Sequence, residues 1–490
     1  MTRRLLAAAL AVLASGCALG PNYKRPTVPV PPTWRDLPAA ESTSLANTPW
    51  WELFDDPTLQ ELVKVALVEN KDLKIAIERV EEARARYGFT KADLWPKIDL
   101  NATGGGLRFN GGSLIHTPDA DTGAVKPTET AIYSLTADMS WEIDLLGRIR
   151  RATEAQKALF LGTQEARRAT VLTLVADVAR AYFELRAFDL QLEIARRTLA
   201  SRREYLELAR DRFEGGLTPE VDLRQADAEL LRIEVVTFDI ERKIRLAENE
   251  ISILIGRNPG AVLRGRAVTE QKRPAAVPAG LPSELLDRRP DVRVAEQNLA
   301  AATANIGQAK ALMFPRIALT GSFGFTSTEF DTWFDGPSKA WNILGNLLQP
   351  IFNAGKNRRR VEITESQQRQ TLYEYERTIL QAFRETEDAL VAYQKTGEER
   401  VAQANRVTAE RKVLELAELR YRGGVAAYLE VLDAQRSLFG AEIDEAQTIT
   451  ENLVSLVQIY KALGGGWPTG PETSGGSTST PPPPPPSPAP

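Results

Sequence analysis

Arg420-Tyr421-Arg422-Gly423-Gly424-Val425, followed by Leu429-Glu430-Val431-Leu432-Asp433-Ala434-Gln435-Arg436, separates two long, charged, helix-patterned runs. The glycine pair breaks the pattern where a chain must reverse. The same arrangement stands 208 residues earlier, as Arg212-Phe213-Glu214-Gly215-Gly216-Leu217 and then Val221-Asp222-Leu223-Arg224-Gln225-Ala226. Arg212 falls on Arg420, Phe213 on Tyr421, the glycine pair on the glycine pair, Asp222 on Glu430 and Ala226 on Ala434. An internal repeat of this kind decides architecture before any single residue does.

The offset of 208 holds back to Gly147-Arg148, which align with Gly355-Lys356. Strand-like segments, Trp141 to Asp144 and Gln349 to Phe352, stand before each. Further back the offset becomes 219, placing Asp72-Leu73 on Asp291-Val292, Ala76 on Ala295, and Pro96-Lys97-Ile98 on Pro315-Arg316-Ile317. Each half therefore reads helix, proline stop, strand pair, very long helix, Gly-Gly reversal, long helix. Chance likeness between helices rich in Ala, Glu and Arg does not reproduce proline, glycine and strand breaks in register. A tandem duplication does.

The chain has 490 residues, of which 26% are charged, with Lys+Arg 61 well mixed among Asp+Glu 65. No block of one sign offers a nucleic-acid face, so no nucleic-acid partner is expected. Cys17 is the only cysteine and His116 the only histidine. Internal disulfides are thereby excluded, and neither a Cys/His metal site nor a Ser-His-Asp triad is expected. Only Met139 and Met313 follow the leader, too few for a soft-metal ladder. The expectation is no catalytic set, no metal and no cofactor.

Residues 1–16 begin basic (Arg3, Arg4) and continue in an apolar run, Leu5 to Leu13, which is a secretory signal peptide too short to span a membrane. Leu13-Ala14-Ser15-Gly16-Cys17 has the form of a bacterial lipobox, with Ala14 where Leu, Val or Ile is usual. It makes Cys17 the expected lipidation site and first mature residue. Ala18 follows, where an Asp would signal inner-membrane retention. Residues 17–55 read as a Pro-rich extended tether, anchored near its end by Trp50-Trp51 and Leu53-Phe54. Residues 56–96 hold two helices, one started by Asp55-Asp56-Pro57 with the stripe Leu59, Leu62, Val63, Ala66 and Leu67, the second running Asp72 to Leu94.

Residues 97–145 change period. Ile98, Leu100 and Ala102 alternate with Asp99, Asn101 and Thr103, and Tyr133, Leu135, Ala137, Met139 and Trp141 alternate with Ser134, Thr136, Asp138, Ser140 and Glu142. Period two with one apolar and one polar face predicts strands, joined by a loop, Arg108 to Glu129, that contains His116. Residues 316–352 repeat this with Ile317, Leu319, Phe323 and Phe325, a turn at Asp335-Gly336-Pro337, and a strand from about Trp341 to Phe352. Strands of about ten residues reach across a bilayer. A soluble sandwich needs more strands than the four present. Four cannot close, and an open edge in hydrocarbon leaves backbone groups unpaired. Three copies give twelve strands, a size known for membrane barrels. Trp95, Trp141, Trp333, Phe334 and Trp341 flank the strands as an interfacial girdle would, or as packing residues would.

Residues 146–256 and 353–466 form two long helical hairpins. Their first helices run without proline for about 67 residues, roughly 100 Å at the helical rise. Val171, Val175, Val178, Tyr182 and Leu185 in one, and Ile449, Leu453, Leu456 and Tyr460 in another, step by threes and fours as in coiled coils. Helices charged over most of their circumference need partners at their sides and water on the remaining face, which a ring around an aqueous bore supplies. Residues 257–281 are a connector, 282–315 the helices of the second repeat, and 467–490 a Pro-rich tail expected to be disordered.

These features together resemble the outer membrane factor family of tripartite efflux systems, the TolC-like outer membrane efflux proteins, and within it the NodT-type lipoprotein subset. The residues that carry the likeness are Gly20-Pro21-Asn22-Tyr23-Lys24-Arg25-Pro26, Trp50-Trp51 with Asp56-Pro57 and Leu59, and Arg288-Arg289-Pro290-Asp291. Further carriers are Pro350-Ile351-Phe352 with Gly355, Arg420 to Arg436, and Tyr460-Lys461-Ala462-Leu463-Gly464-Gly465-Gly466-Trp467. The resemblance covers nearly the whole mature chain apart from the tail. It implies a mixed, mostly α protein: a homotrimer with a twelve-stranded outer-membrane β-barrel, a periplasmic α-barrel wrapped by an equatorial belt, and a lipid on Cys17 set in outer-membrane lipid. It implies a passive exit duct served by a periplasmic adaptor and an inner-membrane pump, usually of the resistance-nodulation-division type.

By the same resemblance the reversals sit at the periplasmic tip, where family members close the bore with charged side chains. The gate candidates here are Asp222, Arg224, Arg422, Glu430 and Asp433, each weighed against a plain i,i+4 surface pair. Some members carry an extra Asp soon after the turn; Ala426-Ala427 stand there in this chain. Gly215, Gly216, Gly423 and Gly424 serve the turn itself. Arg212 and Arg420 are candidates for an adaptor contact or a latch. A type I protein-secretion exit duct shares the fold, and a structural envelope-spanning lipoprotein is a different class, which the amphipathic strands disfavour.

Overall fold

The computed structural model describes residues 18–35, 45, 55–109, 128–274 and 278–465. The leader, Cys17, Trp50-Trp51, Leu53-Phe54, His116 and the Pro-rich tail lie outside the described residues. In chain order the elements are α1 (Pro57–Glu69), α2 (Lys71–Ala92), β1 (Lys97–Phe109), β2 (Thr128–Ile143), α3 (Arg148–Glu214) and α4 (Glu220–Leu254). The second half follows as α5 (Leu285–Arg288), α6 (Pro290–Ala311), β3 (Arg316–Ser327), β4 (Lys339–Leu348), α7 (Lys356–Arg422) and α8 (Tyr428–Ala462). The duplication is kept to the residue: α2 and α6 start and stop 219 apart, and α3 with α7 and α4 with α8 start and stop 208 apart.

The copies diverge at the end of β4 and at α5. β4 ends at Leu348 and does not continue to Phe352, because Pro350 has no N–H to give a ladder. The Gln349 side chain instead donates to the carbonyls of Met313 and Pro350 at 3.3 and 3.0 Å. α5 is a single turn where α1 has 13 residues.

The chain folds into two compact units, each assembled from both halves of the duplication. One comprises residues 1–26, 80–163 and 295–375. It holds an antiparallel sheet ordered β1-β2-β3-β4. The register carries the two-faced pattern across all four strands: Leu100 opposes Ala137, Ala137 opposes Phe323, and Phe323 opposes Trp341, while on the other face Asp99, Asp138, Ser322 and Asn342 form the matching row. The apolar face is bare in the single chain, with Leu100 74% and Trp341 73% exposed. The polar face is hydrogen-bonded to itself: Asn101 donates to Asp138 at 2.6 Å and Ser134 meets Thr326 at 3.3 Å. In the same unit, Ala155 and Ala158 of α3 bury against Ala301 and Ala304 of α6, small residues that let the helices approach.

The other unit takes its described residues from the stretches 27–79, 164–294 and 376–465. Its main core gathers Leu59, Val63, Tyr182, Leu185, Ile233, Ile251, Leu453 and Val457 from α1, α3, α4 and α8. Asp56, fully buried, caps α1 by accepting from Thr58 N at 2.9 Å. Its other oxygen accepts from the Tyr182 hydroxyl (2.9 Å), Arg266 N (3.0 Å) and Gln271 Nε2 (2.9 Å), so the buried charge is well satisfied. The duplication reappears at the helix ends. Asn70 donates to the Leu254 carbonyl at 2.9 Å, and Arg289, at the equivalent position, donates to the equivalent Ala462 carbonyl at 3.1 Å. The Arg289 charge suits a helix C-terminus, and Asp291 and Glu385 hold it at 2.6 and 2.7 Å.

Candidate functional site

Both reversals end their helices in the same way. Leu217 N returns to Arg212 O at 2.8 Å and Gly216 N to Phe213 O at 2.9 Å; Val425 N returns to Arg420 O and Gly424 N to Tyr421 O, both at 3.0 Å. This paired pattern needs one left-handed residue, and Gly216 (φ +69) and Gly424 (φ +74) supply it. Gly215 and Gly423 keep helical bonds to Asp211 and Leu419.

Behind the turns, Tyr205, Leu206, Ala226, Tyr421, Tyr428, Val431 and Leu432 form a separate small core that joins the two hairpins. Tyr421 and Tyr428 lie 5.7 Å apart, and burial pushes the Tyr428 hydroxyl up to about 12. Arg212 crosses from α3 to the other reversal. Its guanidinium sits 4.6 Å from the Tyr421 ring centroid and donates to the Tyr421 carbonyl at 3.2 Å. Asp222 stands half-buried in the same place; burial raises its carboxyl above the ordinary range, opposed by the Arg212 charge.

Of the charged residues singled out in the sequence, the fold brings Arg212 and Asp222 together beside Tyr421, and Arg420 and Glu430 into an exposed ion pair at 3.4 Å. Arg224 pairs with Glu220 one turn away at 3.0 Å, the plain surface pair that stood as its alternative. Arg422 and Asp433 are exposed. Arg212 is thus turned inward as a bridge between the two reversals.

Two further carboxylates tie the hairpins and were not anticipated. Glu229 of α4, fully buried, is held by Arg232 at 2.6 Å and by Arg436 of α8 at 2.9 Å, with Arg202 of α3 at 3.8 Å. Burial pushes this carboxyl up, but the arginine hydrogen bonds and charges outweigh it and hold it below the ordinary glutamate range. Glu442 of α8 accepts from Arg197 of α3 at 2.8 Å and Arg411 of α7 at 3.1 Å. The signal was present in the periodicity: Ala226, Glu229, Ile233 and Phe439, Glu442, Ala446 put a glutamate on each buried stripe.

A four-stranded sheet with one apolar and one polar face, together with duplicated long hairpins and their charged reversals, defines a channel-forming chain. No helix among the described residues is long and apolar enough to cross a membrane. The model of the outer membrane efflux protein family matches residues 62–257 and 281–465. The probable efflux pump outer membrane protein TtgC of Pseudomonas putida is 36% identical over 474 residues, covering 95% of this chain and 96% of its own. The cation efflux system protein CusC of Escherichia coli is 34% identical over 471 residues, covering 95% and 99%. Among solved structures, the outer-membrane channel OprN superposes with a TM-score of 0.84 at 31% identity, over 92% of this chain and all of that one.

The chain belongs to the outer membrane efflux protein family. It has the α-barrel and β-barrel fold of the TolC-like channels and serves as the outer-membrane exit duct of an efflux system in a Gram-negative bacterium.

Proposed function

We propose that three copies of this chain close a twelve-stranded barrel, through which small solutes leave passively after an inner-membrane pump has delivered them by way of a periplasmic adaptor. The observation that carries this reading is the sheet. Its apolar face is bare, its polar face bonds to itself, and β1 and β4 each pair on one side only. A membrane tolerates such a sheet only when its edges are closed, and twelve strands suit an aqueous lumen. The pump is of the resistance-nodulation-division type by family resemblance. Cys17 carries the lipid.

The reversals form the gate, latched by Arg212 on Tyr421 and lined by Asp222, Glu430 and Asp433, whose threefold repetition would ring the pore with carboxylates. Arg420 offers the exposed cation for an adaptor contact. The relatives' names speak of efflux pumps, one of them for cations, which favours small-solute export over protein secretion.

The test is single-channel recording on purified protein in planar bilayers. A small, rarely opening wild-type conductance that becomes large and persistent in Arg212→Ala/Glu430→Ala is the expected result. Silence from both proteins, with the protein shown to be inserted, would overturn the duct and the gate together.

A further inference from the structure

The stretch Ala18-Leu19-Gly20-Pro21-Asn22 lies against the start of α3 and against α6. Arg151, whose side chain is 4% exposed, gathers it: the guanidinium donates to Leu19 O at 3.0 Å, Gly20 O at 3.3 Å, Ala18 O at 3.5 Å and Asn22 Oδ1 at 2.7 Å. Glu154 balances its charge at 2.7 Å, and Leu19 N donates to Leu146 O at 3.0 Å. Glycines make the approach possible. A Cβ on Gly147 would stand 2.7 Å from Ala18, one on Gly307 2.5 Å from the Leu19 carbonyl, and one on Gly20 2.4 Å from Gly307. Just beyond, the Tyr23 hydroxyl and Arg25 both reach Glu296, at 3.2 and 3.1 Å.

The duplication supplies a control inside the same molecule. Gly355, Arg359 and Glu362 are the equivalents of Gly147, Arg151 and Glu154, and Gly88 is the equivalent of Gly307. Gly355 keeps the left-handed backbone (φ +80, against +78 at Gly147), and Arg359 keeps its partner, Glu362, at 2.7 Å. Yet the Arg359 side chain is 78% exposed, and a Cβ on Gly355 or Gly88 would meet nothing within 4 Å. The helix start came with the duplication; its burial beneath the N-terminal stretch is peculiar to the first copy. A guanidinium withdrawn from water and satisfied by four oxygens of one short segment is a built site for that segment.

We propose that Gly147, Arg151 and Gly307 form a receptor for the residues that follow Cys17, and that this receptor fixes where an acylated N-terminus leaves the protein. Leu19 is bonded at Leu146, three residues beyond the end of β2. Ala18, the neighbour of the modified residue in the chain, is thereby fixed beside Gly147. Acyl chains attached there enter the leaflet at the helix-side end of the sheet. Arg151 is a positioning residue, acting through residues 18–22. The leaflet placement rests on the barrel and lipidation reading above.

The test uses the full chain, purified from outer membranes and reconstituted in vesicles, with a nitroxide on Leu19→Cys, inside the segment that Arg151 holds and the one free thiol when Cys17 is acylated. The expected spectrum is slow-motional. Arg151→Gln abolishes the slow component, and Arg359→Gln, its equivalent in the second copy, leaves it intact. Gly20→Ala acts from the segment's side, crowding Gly307 while leaving every residue of α3 and α6 unchanged, and abolishes it too, so the result does not depend on Arg151→Gln assembling. A slow component that survives both Arg151→Gln and Gly20→Ala, or that Arg359→Gln removes equally, overturns the receptor. Intact mass reports acylation separately: a mature chain without acyl chains on Cys17 overturns the leaflet placement through the reading on which it rests.

Discussion

Glu229 occupies a position that Ala226, Ile233 and Ile240 assign to the core of α4, yet it is a carboxylate held by Arg232 and Arg436. Its folded pKa lies below the ordinary glutamate value. The stability it contributes is therefore fully present above that ordinary value, and is lost as pH falls through the depressed folded one. Asp222 runs the other way. Its raised pKa favours the fold below the ordinary aspartate range, and that contribution is lost as pH rises through the folded value. Glu229→Gln, which takes the carboxylate away from the buried Arg202 and the part-exposed Arg232 and Arg436, should lower the melting temperature and flatten the acid limb of its pH profile. An acid limb unchanged in the variant would mean that the Glu229 cluster is not what titrates. Arg212→Ala removes a cation–π contact of about 0.5–2 kcal/mol and should raise the open probability of the channel in bilayers; an unchanged gating record would show that the latch lies elsewhere. The stripe spacing could have placed these glutamates, but could not have said what they meet. Arg436 and Arg202 come from other helices, and no spacing within one helix predicts a partner on another. The Arg212–Tyr421 contact was hidden for the same reason, although both residues stood inside the two repeats.

At the scale of the element, the reversals were legible because glycine has a physical reason to be there. Gly216 and Gly424 have positive φ, so alanine at either should cost about 1–2 kcal/mol. Alanine at Gly423, whose backbone is helical, should cost less. Hydrogen exchange in the last turns of α3 and α7 measures this, and equal losses at Gly423 and Gly424 would contradict the turn assignment. The sheet was equally readable, since period two with opposed faces survives in the register of all four strands. Its faces make a direct prediction. Phe323→Arg puts a charge on the apolar face and should cost about 2–4 kcal/mol of assembly in lipid. Thr320→Arg, on the polar face, should cost little and alter ion selectivity instead. Equal assembly of the two variants in vesicles would reverse the assignment of lipid and lumen. The end of β4 was not legible, because Pro350, Ile351 and Phe352 carry the apolar run onward while the proline removes the N–H that a strand requires. Ile351 and Phe352 are instead 90% and 89% exposed.

At the scale of the whole molecule, duplication explains both what the sequence disclosed and what it concealed. Paired features were visible because each appears twice: the glycine turns, the proline stops, and the offsets that the helix ends keep to the residue. Features that only one copy holds had no echo to reveal them, and Arg151 beneath the N-terminal stretch is the clearest case. In the proposed assembly one chain supplies one third of a closed barrel, because four strands leave two unpaired edges and a bare apolar face. Native mass spectrometry of the protein extracted from outer membranes in mild detergent tests it most directly. Three chains per particle is the predicted result; a stable monomer or dimer as the sole species would leave four or eight strands and contradict the closure on which the duct depends.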